Sequence, residues 1–189
     1  MSFSIRLMAQ GDLTAVEDIQ AEAYAGYFLE SAEVIAQRFH ISPATAWVAE
    51  REGQVCAYLV GYCSLLGKIN PLDAPFAPAE NPDCLYLHDM AILKVAQGAG
   101  IAKALLQAAE RLAGVKQLGK MALLSVQDSK AFWLGQGFVI REGLDSVQQQ
   151  NLNSYCDADE MAFYMVKGLQ ALDHGHAPDR PLGQTVPIF

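Results

Sequence analysis

Two short stretches hold the residues with chemistry to offer. The first is Gln97-Gly98-Ala99-Gly100-Ile101-Ala102, followed by Lys103. It lies between an apolar run, Leu85-Tyr86-Leu87-His88-Asp89-Met90-Ala91-Ile92, and a segment in which Ile101, Ala104, Leu105, Ala108 and Leu112 recur at helical spacing. A strand, a glycine turn and a helix N-terminus in succession leave backbone N–H groups without intrahelical acceptors. Two glycines remove the side chains that would block a close approach, and the product is a phosphate site. The second stretch is the apolar run itself, because it contains His88. An imidazole changes charge near neutral pH and suits proton transfer. Tyr86 shares the His88 face by strand alternation, whereas Asp89 falls on the opposite face. The plainer alternatives are a hydrogen-bonded core histidine for His88 and a solvated helix residue for Lys103.

Strand, turn and helix are shared by several phosphate-binding motifs. A Rossmann turn needs G-x-G-x-x-G; Gly98 and Gly100 fit, but the third place is Lys103. A P-loop needs Gly-Lys-Ser/Thr after four spacer residues, and the chain lacks it. The spacing present is Gln-x-x-Gly-x-Ala, which resembles the acyl-CoA signature Arg/Gln-x-x-Gly-x-Gly/Ala of the GNAT family of N-acetyltransferases. Downstream, Phe132-Trp133-Leu134-Gly135-Gln136-Gly137-Phe138 is similar to the family's Phe-Tyr-x-x-x-Gly-Phe ending. The layout from Ile5 through the strand pair near Trp47–Tyr62 also fits, so the likeness covers residues 4–168.

The resemblance implies an α/β fold with a mixed sheet of about seven strands flanked by about four helices. It implies one domain over residues 1–168, a C-terminal tail over 169–189, and acetyl-CoA as co-substrate. N–H donors from Gly98 to Ala102 would meet the pyrophosphate. Family members often carry Arg at the first position and a basic residue at the third; here they are Gln97 and Ala99, so backbone donors carry more of the binding. Lys103 and Lys94 can restore positive charge. The pantetheine arm would pair with the Met90-Ala91-Ile92 backbone as an added strand does, with Met121–Val126 on its other side. A main-chain N–H there would face the thioester oxygen.

An alkyl amine with a pKa near ~10.4 is mostly protonated at pH 7 and needs a base. The resemblance implies His88, which matches one of the paired histidines on this strand in arylalkylamine-type members, with Tyr86 at the other position. The family's usual acid, a Tyr after Phe, is Trp133 here; indole N–H is no practical acid. Trp133 is therefore expected to pack against the thioester end. Tyr86, Tyr155 or Tyr164 is left to protonate the thiolate, or it leaves unassisted. The expected activity is transfer of an acetyl group to a small-molecule amine by direct attack in a ternary complex. A non-catalytic acyl-CoA-binding or sensor module, and a protein N-acetyltransferase, are the alternatives.

The rest of the chain must position these residues. Its 189 residues, 52% hydrophobic, support one full core. A net charge of -8 without a basic cluster argues against nucleic acid as partner. It favours cationic substrates only weakly in salt. The N-terminus has no signal pattern, and no apolar run is long enough for a bilayer. Cys56, Cys63, Cys84 and Cys156 show neither CxxC pairing nor zinc spacing, so no metal is expected and the expected compartment is the reducing cytoplasm. Nothing dictates assembly; a homodimer is compatible with the chain.

In order, Ser4–Met8 reads as a strand, and Asp12 as the cap of a helix over Leu13–Tyr24. Ser31 caps a helix over Ala32–Phe39 that stops before Pro43. Ala46–Glu50 and Gln54–Tyr62 form a hairpin. Leu66–Asp83, with Pro71, Pro75, Pro78 and Pro82, is irregular and reads as a wall over the acceptor site or a plain surface excursion. Met121–Val126 is a strand parallel to Leu85–Ile92, Ser129–Gly135 a short helix, and Gly137 opens the next strand. Arg141–Asp157 reads as a polar excursion, Glu160–Val166 as the last strand, and His174–Phe189 as part of the tail.

Overall fold

The computed structural model describes residues 2–24, 26–156 and 161–169. Seven strands form one sheet: β1 (Ser4–Leu7), β2 (Ala46–Arg51), β3 (Gln54–Ser64), β4 (Cys84–Ile92), β5 (Lys120–Ser125), β6 (Val139–Ile140) and β7 (Phe163–Gly168). Their order is β1-β2-β3-β4-β5-β7-β6. Only β4 and β5 run parallel. The connections explain this. Helix α3 (Ile101–Val115) crosses over between β4 and β5, and parallel neighbours need such a crossover. By contrast β2 and β3 are joined by Glu52-Gly53 alone, both at positive φ (53° and 78°), which is the turn geometry that a twisted hairpin favours.

Helices cover both faces. Ile101, Leu105, Leu106, Ala109 and Ala113 of α3, with Trp133 of α4 (Lys130–Gly135), pack on Leu59, Leu85, Leu87 and Leu123. This buried stripe is wider than the predicted one; Ala104 and Leu112 lie at its margin. On the opposite face α1 (Leu13–Ala23) and α2 (Ala32–Ile41) pack on Val48, Tyr58 and Ala91. Beside them a second cluster gathers Tyr62, Tyr86, Tyr155 and Tyr164 with Ile69 and Phe76 of the proline-rich segment. That segment is irregular, as expected, yet Ile69, Asn70 and Phe76 are buried.

Three local expectations change. Asp12 does not cap α1. Its carboxylate accepts the Ala9 N–H at 2.8 Å and two bonds from the Arg6 guanidinium at 2.6 and 2.9 Å. A two-pronged bond to a cation outcompetes a neutral cap. The Arg6 pairing also lowers the Asp12 pKa below the usual carboxylate range. Ser31 does cap α2, accepting the Val34 N–H at 3.4 Å. The Arg141–Asp157 excursion contains a helix, α5 (Ser146–Asn153), capped by Asp145, which brings the helices to five. None of its residues is buried, so it lacks the apolar stripe by which a helix is read. Polar bonds hold it instead: Gln148 accepts the Ile69 N–H at 2.6 Å, and Asn151 donates to the Ile69 carbonyl at 3.0 Å. The last strand begins at Phe163; Glu160 and residues 170–189 of the expected tail lie outside the described residues. Among the described residues no helix is long and apolar enough to cross a membrane.

Candidate active site

The β4–β5 ladder is short. It pairs Cys84–Leu87 with Lys120–Leu123 and then stops, while β4 continues to Ile92. A cleft of about 340 Å³ opens where pairing ends. Met90, Ala91 and Ile92 line one side, and Leu124, Val126 and Trp133 line the other. Beyond Leu87, the β4 edge that faces the cleft has no strand partner among the described residues, so its main-chain groups are available to an extended, amide-bearing ligand.

The glycine turn closes one end. Gln97 and Ala102 line the cleft; Gly98, Ala99 and Gly100 span the exposed rim between them. Gly98 and Gly100 have φ of 76° and 83°, and a Cβ on either would meet nothing within 4 Å. Their requirement here is conformational: both occupy the left-handed region that glycine enters without penalty. Gly100 is the N-cap of α3 and offers no side chain to it, so the first-turn N–H groups stay free. Ile101 points inward, 1% exposed, and anchors the helix in the core. Lys103 is exposed and not part of the cleft lining, whereas Lys94 is part of it. Uncapped amides, an unpaired strand edge and the cleft between them together fit coenzyme A.

His88 lines the cleft, and a register shift puts it there. Val60 pairs with Asp89, but Gly61 pairs with Leu87, so His88 is the extra residue of a β-bulge. The bulge depends on Gly61, whose Cβ would lie 2.3 Å from the Tyr86 carbonyl oxygen. Strict alternation fails at such a point. The expectation that Asp89 faces away from His88 is therefore wrong: Asp89 and His88 both line the cleft and a second, smaller cavity of about 40 Å³. Tyr24 borders both as well, while Tyr86 borders only the smaller one, with ring centroids 6.3 Å between Tyr86 and His88. Glu30, Tyr155 and Leu72, the last from the proline-rich segment, line this smaller cavity too, with Phe28, Leu124 and Val126. Phe76 of the same segment stands edge-on to the His88 ring, centroids 5.3 Å apart.

The other aromatic candidates separate clearly. Trp133 is buried and packs edge-on against Phe138 at 5.4 Å while lining the cleft. Tyr155 spends its hydroxyl on the Asn70 carbonyl at 2.7 Å, and the Tyr164 hydroxyl accepts the Gly67 N–H at 2.8 Å. Both hydroxyls are tied to the proline-rich segment. Burial raises both phenols, Tyr164 to about 12.

Several residues escaped the sequence reading. Glu30 faces His88, with both carboxylate oxygens within 3.4 Å of Nε2. Arg38 makes a two-pronged ion pair with Glu30, and the side chains of all three are at most 5% exposed. Burial pushes the Glu30 carboxyl up, but His88 and Arg38 outweigh it and leave its pKa below the usual carboxylate range. Arg38 also donates to the Ala74 carbonyl at 2.8 Å and lies over the Phe76 ring at 5.1 Å. Asp89 accepts hydrogen bonds from the Tyr24 and Tyr58 hydroxyls. Burial raises Asp89, helped by the Glu30 charge and opposed by those hydroxyls. Burial and then the Asp89 charge push both phenols well above their ordinary range. One signal was available: Arg38 lies at helical spacing on the same face of α2 as Val34 and Ile35.

Known proteins share this architecture. The chain aligns over 90% of its length with Ard1 from Thermoplasma volcanium, covering 99% of that chain at 18% identity and a TM-score of 0.69. It covers 100% of the GNAT-like decarboxylase GphF, solved with isobutyryl-CoA, with 88% of its own length at 14% identity and a TM-score of 0.74. It covers 99% of the PaiA N-acetyltransferase from Thermoplasma acidophilum, solved with coenzyme A, with 89% of its own length at 16% identity and a TM-score of 0.63. Identities this low speak for the fold alone. No curated protein sequence matches the chain. The acetyltransferase (GNAT) family model matches residues 13–138, which take in α1, the bulged strand, the glycine turn and Trp133. On that match the chain belongs to the GNAT acetyltransferase family.

Proposed function

We propose that this protein is a cytoplasmic, acetyl-CoA-dependent N-acetyltransferase of a small-molecule amine, acting by direct attack in a ternary complex. The observation that carries the reading is the position of His88, on the wall of both the β4–β5 cleft and the smaller cavity beside it. Acetyl-CoA supplies the activated acyl group. Amides from Gly98 to Ala102 hold its pyrophosphate, with Gln97 beside them and Lys94 and Lys103 adding charge. The Met90-Ala91-Ile92 backbone orients its arm, and Trp133 packs against the acyl end. The amine enters the smaller cavity, where His88 takes its proton and Tyr86 shapes the wall. A cavity of about 40 Å³ walled by Leu72 and Tyr155 suits a slender amine better than a peptide. Residues 1–168 act as one domain, with 169–189 as a tail.

Trp133 at the acid position favours a second reading, a non-catalytic acyl-CoA sensor. Tyr24 weighs against it, since its hydroxyl stands 3.4 Å from the Met90 carbonyl oxygen at the border of cleft and cavity. A thiol-release screen with acetyl-CoA against polyamines, arylalkylamines, aminoglycosides and amino acids tests the proposal. Turnover with at least one amine is expected. Tight acetyl-CoA binding without turnover across the panel would replace the enzyme with the sensor.

A further inference from the structure

Imidazole can act as a base only through the nitrogen that lacks a proton, and which nitrogen that is depends on what the other one meets. At His88 the answer comes from Glu30. An ionised carboxylate accepts about four hydrogen bonds and donates none. Arg38 supplies two, one of them to Oε1 at 2.6 Å, and the Asp73 N–H supplies a third at 3.0 Å. One acceptor site remains, and His88 Nε2 lies within 3.4 Å of both oxygens. So Nε2 must carry the proton that Glu30 accepts. The other nitrogen, Nδ1, is buried and has no hydrogen-bond partner among the described residues, although His88 lines the small cavity.

We propose that the buried Glu30–Arg38 ion pair is a positioning device: it holds His88 as the Nε2–H tautomer and leaves Nδ1 as the ring nitrogen that carries the lone pair. The inference rests on the reading of His88 as the base. For the proton transfer Nδ1, which is covered here, must first be uncovered to the amine; an N–H bond of the bound ammonium then breaks and an Nδ1–H bond forms. Nε2 keeps its proton, and the resulting imidazolium faces the Glu30 carboxylate. Arg38 keeps that carboxylate ionised and fixes its direction. It also ties the arrangement to the proline-rich segment through the Ala74 carbonyl and Phe76, whose ring edge fixes the imidazole plane. The other groups bordering the ring's cavity are Asp89 and the phenols of Tyr24, Tyr86 and Tyr155, and none of them bonds to either ring nitrogen.

The test is long-range ¹H–¹⁵N correlation NMR on ¹⁵N-histidine-labelled full-length protein, with His88 assigned by its loss in His88→Gln. In the wild type above pH 7 the Nε2–H form should outnumber the Nδ1–H form by at least about twentyfold. The double variant Glu30→Leu/Arg38→Met removes the ion pair as a unit, a replacement that folds tolerate better than one unpaired charge. There the ratio should fall at least about fivefold, with circular dichroism unchanged. A dominant Nδ1–H form in the wild type overturns the proposal whether or not the variant folds; an unchanged ratio in a folded variant overturns it too. Thiol release reads the enzymatic assignment and the tautomer ratio reads this one, so either can fail without the other.

Discussion

A buried histidine is useful as a base when one ring nitrogen is held and the other is free. His88 meets that condition through Glu30, 58 residues away in sequence. Its usefulness also depends on a local break in strand geometry, because the bulge brings Asp89 round to the same cavity. Replacing the imidazole tests its role directly. His88→Gln should lower turnover by about a hundredfold or more, the usual contribution of a positioned base. Acetyl-CoA affinity should stay within a few-fold, because the glycine turn is untouched. A loss below threefold at saturating substrates would take His88 out of the chemistry. Of the tyrosines raised as proton donors, Tyr155 and Tyr164 hold backbone groups of the proline-rich segment and Tyr86 borders only the smaller cavity; Tyr24, which was not among them, borders cleft and cavity both.

At the scale of elements, β4 and its two ends decide the site. The bulge exists because Gly61 lets the Tyr86 carbonyl come close. Gly61→Ala sets a methyl against backbone, with no flexible atom to yield. We expect a loss of about 1–3 kcal/mol in urea unfolding, as for other overpacked positions. A midpoint equal to the wild type would mean that the bulge does not need the glycine. The bond from the Thr45 hydroxyl to the Gly61 carbonyl, 2.6 Å, should be disturbed as well. The turn before α3 behaves differently. Gly100→Ala meets open space but must hold φ near 83°, at a cost of about 1–2 kcal/mol. The fold should survive. Coenzyme A affinity by calorimetry should fall about tenfold, because the added methyl narrows the approach of a diphosphate to the first-turn amides. Unchanged affinity would contradict the phosphate role of the turn.

At the scale of the molecule, two ion-paired carboxylates among the described residues shape the response to acid. Asp12 and Glu30 both have folded pKa values below their unfolded ones. Such groups add stability that is fully present above the unfolded values, about 3.9 and 4.3. It is lost as pH falls through the folded values. Asp89 is raised, so it works in the other direction and gains stability as pH falls. With two lowered carboxylates against one raised, the urea midpoint should hold from pH 7 to about 5 and drop below about 4. Glu30→Leu/Arg38→Met removes one lowered group and should drop less between pH 5 and pH 3. An equal drop would show that Glu30 does not contribute. Truncating Arg38 alone should be far worse, about 3–5 kcal/mol at pH 7, because Glu30 would stay buried without its cation.

Much of this was written in the chain. Gln97–Ala102 after an apolar run announces a glycine turn that opens α3, since free amides and glycine are local properties. The parallel β4–β5 pair follows from the helix between them, and Ser31 caps α2 because a hydroxyl reaches an amide three residues on. The helix α5 was hidden because its hold on Ile69 is polar and distant. Asp89 was misplaced because alternation counts residues and cannot see a partner strand with one fewer. Glu30 and Arg38 became part of the site only when the sheet and α2 closed over them. Low dielectric and excluded water gave their pairing its strength, and those belong to the folded interior alone.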